Sequence, residues 1–176
     1  MTKLINIVTV FLILIQFYAC EEKFTPSQTY YNTDSSPVQE SWNSTVVFSD
    51  SGNIKAILTA GHISVYKNKM VTVIDSNAKV EFFKNGVLVS TLTGKYGIVD
   101  DKTKDIEIYD SVYVVNNEGS ELKTQKLKWT NSTQKVSSDV FVQIKTPSES
   151  VEGIGFESDQ NLKNYRIFDV SGTFDK

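Results

Sequence analysis

From Thr45 onward the chain alternates between apolar and polar residues. Glu81 separates Val80 from Phe82, Glu107 separates Ile106 from Ile108, and Tyr113 separates Val112 from Val114. Val140, Val142 and Ile144 repeat the pattern around Phe141 and Gln143. Apolar residues at every second position mark strands with one buried face. Turn-forming residues punctuate the runs at Asp50-Ser51-Gly52-Asn53, Asn85-Gly86, Asn116-Asn117-Glu118-Gly119 and Pro147-Ser148. Asn85-Gly86 suits a two-residue hairpin, whose central positions both need positive φ. The best helical stretch beyond residue 20 is the short Ser158–Lys163. Strands about 8–12 residues apart without helices between them predict an all-β sandwich, barrel or jelly roll.

A loose repeat underlies the alternation. Asp110, Asp139 and Asp169 lie 29 and 30 residues apart, and each follows a strand, a polar turn and a second strand. Such units stack because none can bury its own apolar face.

The N-terminus has a different texture. Lys3 is the only charge before Cys20, and Leu4 to Ala19 is almost wholly apolar. A basic start, a short apolar run and a small residue at its end describe a secretory signal over residues 1–19. The run is short for a bilayer span, which needs about 20 apolar residues. Cys20 is the only cysteine, so the chain forms no internal disulfide. Its place after Ala19 and before Glu21-Glu22 resembles a bacterial lipobox, with Phe17 where a leucine is usual. That resemblance implies acylation of the Cys20 thiol, and several acyl chains would anchor the protein firmly. Residues 20–43 carry Pro26, Pro37 and many Ser, Thr, Asn and Gln residues without a period, which predicts a flexible tether. The folded part is then expected over 44–176.

Composition narrows the chemistry. Apolar residues make up 40% of the 176, enough for a core. The net charge of −3 and the scattered lysines give no basic face, which argues against nucleic acid as a partner. His62 is the only histidine, and no G-x-S-x-G motif marks a nucleophile. The carboxylate pairs Asp100-Asp101 and Glu21-Glu22 are sequence neighbours, which point to opposite faces of a strand and make no acid–base pair there. Calcium-loop spacing is absent, and Gly153-x-Gly155 has no helix after it to form a nucleotide site. Those glycines fit a bulge or a close backbone approach instead. No enzymatic activity, metal or cofactor is expected.

Four segments of the C-terminal half carry a resemblance. Glu121 to Trp129 resembles an "L-x-T-x-x-L-x-W" strand, and Val136-Ser137-Ser138-Asp139-Val140 resembles a "V/I-x-S/T-D" lead-in to the next. Val151 to Asp159 resembles "G-x-G-h-x-A/S-D", and Val170-Ser171-Gly172-Thr173-Phe174 resembles a closing "V-x-G" stretch. In this order and spacing they resemble the LptC family of lipopolysaccharide export proteins, relatives of the OstA/LptA-like jelly rolls. The resemblance covers about residues 45–174.

It implies an open antiparallel β-jelly roll that holds the acyl chains of lipopolysaccharide between two sheet faces. It also implies a carrier that receives lipid from an inner-membrane ABC transporter and passes it to an LptA-like bridge protein. The jelly rolls of that family join edge to edge. Many members are held by an uncleaved transmembrane helix, whereas this sequence carries the lipobox-like Cys20. The expected location is the periplasmic face of the inner membrane, with the protein lipid-anchored through Cys20. An open sheet edge, normally an aggregation hazard, serves such a protein by accepting a strand from a neighbour.

Alternation assigns an inward, lipid-facing set: Ile63, Val65, Ile106, Ile108, Val112, Val114, Leu127, Trp129, Val140, Val142, Ile144, Phe156 and Phe168. Trp129 and Phe156 are the expected ligand contacts, since large aromatics line adaptable slots. Where both alternate sets are apolar, as over Val140–Ile144, a slip of one residue exchanges the faces. Two other readings remain: a lipid-anchored barrel around another hydrophobic ligand, with a closed pocket, and a structural surface lipoprotein with a dry core.

Overall fold

The computed structural model describes residues 36–172. They form eleven strands: β1 (Gln39–Asp50), β2 (Asn53–Tyr66), β3 (Val71–Asp75), β4 (Ala78–Lys84), β5 (Val87–Gly94), β6 (Tyr96–Asp100), β7 (Ile106–Asn116), β8 (Glu121–Thr130), β9 (Lys135–Lys145), β10 (Ser150–Asp159) and β11 (Arg166–Val170). All belong to one antiparallel sheet, ordered β11-β10-β9-β8-β7-β5-β4-β2-β3-β6, with β1 outside β2 and β6 also paired to β7. The sheet is not a closed barrel, because β1 and β11 each pair with a single neighbour. The expected jelly roll is thus an open one.

Hairpin turns lie where the turn residues mark them. Asn85 and Gly86 both adopt positive φ, 52° and 76°, which matches the right-handed twist of the flanking strands. Two local expectations differ from the structure. β1 begins at Gln39, inside the stretch read as tether; as an edge strand exposed on both faces, its start shows no apolar alternation. Ser158–Lys163 is not helical: β10 runs to Asp159 and a turn follows. Asp159 shapes that turn by accepting the backbone N–H groups of Asn161 and Lys163 at 3.2 and 3.1 Å.

A crease crosses the sheet and explains how one sheet supplies two layers. It runs through Asn43 in β1, Gly61 in β2, Ser76 and Asn77 between β3 and β4, and Lys95 between β5 and β6. It continues through Asp110 and Ser111 in β7, Gln125 in β8, Asp139 in β9 and Gly155 in β10. Asn43, Ser76, Asn77, Asp110, Ser111 and Gly155 all have positive φ. Backbone bonds stitch the line together: Gly61 N–H to the Ser76 carbonyl at 3.0 Å, Asn77 N–H to Lys95 at 3.2 Å, and Lys95 N–H to Asp110 at 3.1 Å. Pairing registers slip at the crease in β7, β8, β9 and β10. A bulge of this kind inserts one unpaired residue and bends its strand. On the outer surface, Lys95 meets Asp110 at 2.8 Å and Lys126 meets Asp139 at 3.0 Å. These partners hold both aspartates below the usual carboxylate range.

The crease divides the sheet into two half-sheets. β2 pairs with β4 over Ala56–Thr59 and with β3 over His62–Tyr66. β7 likewise pairs with β6 over Ile106–Tyr109 and with β5 over Tyr113–Asn116. The half-sheet with β4 and β5 folds against the one with β3 and β6. Phe82 and Trp129 meet between the layers at a centroid distance of 5.4 Å, and Phe48 meets Trp129 edge-on at 6.2 Å.

Candidate functional site

The candidate site is the slot between the two half-sheets. Its lining is continuous from β2 to β10 and mainly apolar, with buried hydroxyls such as Ser90, Thr124, Ser138 and Ser158 among it. Ile63, Ile106, Ile108, Val112, Val114, Leu127, Trp129, Val142, Ile144 and Phe156 are buried together in one cluster. Leu58, Ile74, Val80, Phe82, Leu92, Leu122, Val136, Val151 and Leu162 join them there. Val80 and Phe82 were legible from their alternation, whereas Leu162 lies in a turn without any period.

Three members of the expected inward set lie outside that buried cluster. Val65 is half-buried near the start of β1. Val140 is half-buried at the crease, where it lines a depression of about 700 Å³ with Val112, Tyr113, Lys123, Thr124 and Phe141. Phe168 is 57% exposed on the edge strand β11 and packs across Gly155. In β11 it is Ile167 that stands opposite Phe156 and packs against the core, so Phe168, one residue on, faces the other way.

Three of the resemblance-bearing segments, in β8, β9 and β10, cross the crease. In β8 the buried positions are Leu122, Thr124, Leu127 and Trp129. The step of three between Thr124 and Leu127 is the bulge. Thr124 Oγ1 donates to the Phe141 carbonyl at 2.8 Å, a backbone oxygen beside the register slip in β9. Ser138 is buried 3.4 Å from the same hydroxyl, while Asp139 turns outward to Lys126. Gly153 lies under β11, with no room for a side chain: a Cβ there would stand 2.2 Å from the Asp169 carbonyl oxygen.

His62 lies on the face of β2 opposite to core-facing Ile63 and is held between two carboxylates. Its Nδ1 is 3.0 Å from Asp75 and its Nε2 is 3.2 Å from Glu40, with Ser64 Oγ farther from Nε2 at 3.5 Å. Carboxylates at both nitrogens are satisfied only by an imidazolium, which has no lone pair to accept a serine proton. The Asp75 hydrogen bond, and after it Glu40, hold the pKa above its ordinary 6.5 despite burial. Trp42 of β1 stacks on the ring at 5.0 Å, so His62 ties the edge strand to β2 and β3. The raised folded value means that this contribution is fully present below pH 6.5 and lost as pH rises through the folded pKa. Following the His62 ring protons by NMR should give a titration above 6.5 that moves down in Asp75→Asn. An unchanged midpoint in that variant would mean that Asp75 does not hold the charge.

Among the described residues, no group of three or more His, Cys, Asp or Glu is placed to bind a metal ion. Burial, and after it the hydrogen bond to Glu107, push the Tyr109 hydroxyl up to about 12, and its ring stacks on Tyr96 at 5.1 Å. Cys20 and the signal and tether up to residue 35 lie outside the described residues.

A creased antiparallel β-sheet with a continuous apolar interior and two open edges makes the domain an open jelly roll. The sequence matches the family model of lipopolysaccharide-assembly, LptC-related proteins over residues 5–174, and the chain belongs to that family. No curated protein matches the sequence well enough to carry an argument. Membership implies a non-enzymatic role in lipopolysaccharide transport, with an envelope location and partners in that transport system.

Proposed function

We propose that the protein is a relay carrier, taking lipopolysaccharide from an inner-membrane ABC transporter and passing it to an LptA-like periplasmic bridge. The observation that carries this is the match to the LptC-related family over residues 5–174, and an apolar interior running from β2 to β10 of an open sheet supports it. Acyl chains need such a lining, while a charged sugar head needs water beside it. Both unpaired edges carry exposed apolar residues, Trp42, Val46 and Val47 on β1 and Phe168 and Val170 on β11. Edges of this kind accept strands from neighbouring sheets. A closed barrel for another ligand is disfavoured by the open topology. The structural-lipoprotein reading predicts the same packed interior and is separated only by experiment.

In this reading residues 1–19 are removed, Cys20 is acylated, and the tether holds the jelly roll at the periplasmic face of the inner membrane. The lipid contacts are the buried members of the inward set, with Trp129 and Phe156 foremost. The test is photo-crosslinking in living cells, with a photoreactive residue at Trp129, Phe156 or Val142 and at Lys128 as control. Lys128 points outward to Asp105 at 3.2 Å. Lipopolysaccharide adducts at the first three positions and none at Lys128 are expected. Absence of adducts from a folded, anchored protein would overturn the carrier reading in favour of the structural one.

A further inference from the structure

The slot is packed shut. Trp129, Phe82, Phe156, Leu58 and Ile144 are each at most 1% exposed. Acyl chains therefore enter only if the half-sheets part. They cannot part at the crease, where β2, β7, β8, β9 and β10 run through it as continuous strands. The side opposite the crease is where room can be made, and one short segment spans it.

That segment is the turn between β10 and β11. It leaves the half-sheet of β3 and β6 at Asp159 and crosses to the other. Ser90 Oγ donates to the Gln160 carbonyl at 2.5 Å, Gln160 Nε2 to the Phe83 carbonyl at 3.2 Å, and Asn116 Nδ2 to the Asn161 carbonyl at 2.6 Å. Lys163 pairs with Glu118 at 2.5 Å, and the Tyr165 hydroxyl donates to Glu149. Leu162 is driven into the core at 1% exposure. Asp159 binds Asn161, Lys163 and Asn164 within the turn, which makes it one body.

This closure is uncomfortable in ways that a permanent cap would not need to be. Among the described residues, the buried side-chain polar atoms without a partner are Trp129 Nε1, Ser158 Oγ, Gln160 Oε1 and Asn161 Oδ1. All but the first belong to this crossing or the residue just before it. Buried unpaired polar atoms oppose the state that buries them. Leu162 adds a left-handed φ of 57°, which a residue with a Cβ rarely adopts. Moving elements are drawn from the less stable parts of a fold.

We propose that the Asp159–Tyr165 turn is a latch: closed, it ties the half-sheets together and fills the slot with Leu162; released, it lets them part to admit the acyl chains of an amphiphile. The proposal rests on the carrier reading of the slot. Its test clamps the latch on the outside, in the full-length protein extracted from membranes. Glu118→Cys and Lys163→Cys replace an exposed ion pair, and a short bis-maleimide with a reducible centre joins them, the product being confirmed by mass spectrometry. The probe is fluorescently labelled lipopolysaccharide.

Apparent affinity scales with the population of the binding-competent state. The clamped protein is therefore expected to keep no more than roughly a tenth of the loading, and reduction of the linker to restore it. Restoration also shows that the substitutions leave the fold intact. Equal loading with and without the clamp overturns the latch and leaves the carrier standing. Failure of the unclamped protein to load overturns the carrier reading itself, and the latch with it.

Discussion

Replacing Trp129 by alanine is expected to destabilise the domain by about 3–5 kcal/mol, the usual range for removing a large buried aromatic. The ring joins the two half-sheets: it belongs to β8, and its neighbours Phe48 and Phe82 belong to the other layer. Removing it leaves a cavity between layers that strands on either side cannot collapse to fill. Since domains of this kind are held by about 5–15 kcal/mol in all, the variant is close to unfolding. Trp129→Phe is expected to behave differently. It keeps most of the aromatic volume and removes the indole N–H that has no partner, so its cost should stay under about 1.5 kcal/mol. Denaturant melts of both variants decide the matter. A loss below about 1 kcal/mol for Trp129→Ala would mean that the ring faces open space rather than a packed layer. The latch would then have no closed slot to guard.

What the sequence discloses about this packing depends on how local the cause is. The eight residues from Leu122 to Trp129 contain their own account of the bulge: apolar or hydroxyl residues two apart, then three apart, then two apart again. The residue at the break, Thr124, supplies the hydroxyl that the disrupted ladder requires. The Asp110, Asp139 and Asp169 repeat is equally local. Asp110 and Asp139 stand on the crease and face lysines outward, and Asp169 pairs with Ile154 beside the β10 bulge. The spacing of about thirty records two passes of chain between equivalent points of the crease. Gly153-x-Gly155 reads correctly for the same reason. One glycine lies under a neighbouring strand and the other turns the bulge at φ 78°.

The features hidden from sequence have distant causes. β1 takes its strand conformation from pairing with β2 along its whole length, and its residues Gln39-Glu40-Ser41-Trp42 carry no alternation to announce it. Leu162 is buried because the half-sheet of β4 and β5 lies across from the turn, some seventy residues away in sequence from Ser90. Phe168 faces out because the register across the β10–β11 turn sets Ile167, not Phe168, opposite Phe156, and no spacing within one strand announces that register. His62 pairs with Asp75 and Glu40 through two different strand registers, and no spacing in one segment encodes both.

Gly153→Val should detach β11 while leaving the rest of the sheet in place. A Cβ at Gly153 would stand 2.2 Å from the Asp169 carbonyl oxygen and 2.7 Å from Ile167 Cγ2. The first of these atoms is backbone and cannot rotate away. Overpacking a well-filled site typically costs about 1–3 kcal/mol. β11 has little to set against that: it is five residues long and pairs with β10 alone. The strand should therefore leave rather than strain the core. Hydrogen exchange reads this directly, with protection lost over Arg166–Val170 and at Ser171, whose N–H bonds the Glu152 carbonyl at 2.9 Å, and kept in β2, β4 and β7. The function should split in the same place. If sheet edges pass lipid between proteins, crosslinks to a partner from Phe168 vanish in this variant while those from Val46 on β1 persist. Full protection of β11 in Gly153→Val would mean that the strand is placed by something other than this contact. Lost protection with undiminished transfer of lipopolysaccharide would mean that the edge at β11 is not a docking edge, and that the relay leaves the protein by another side.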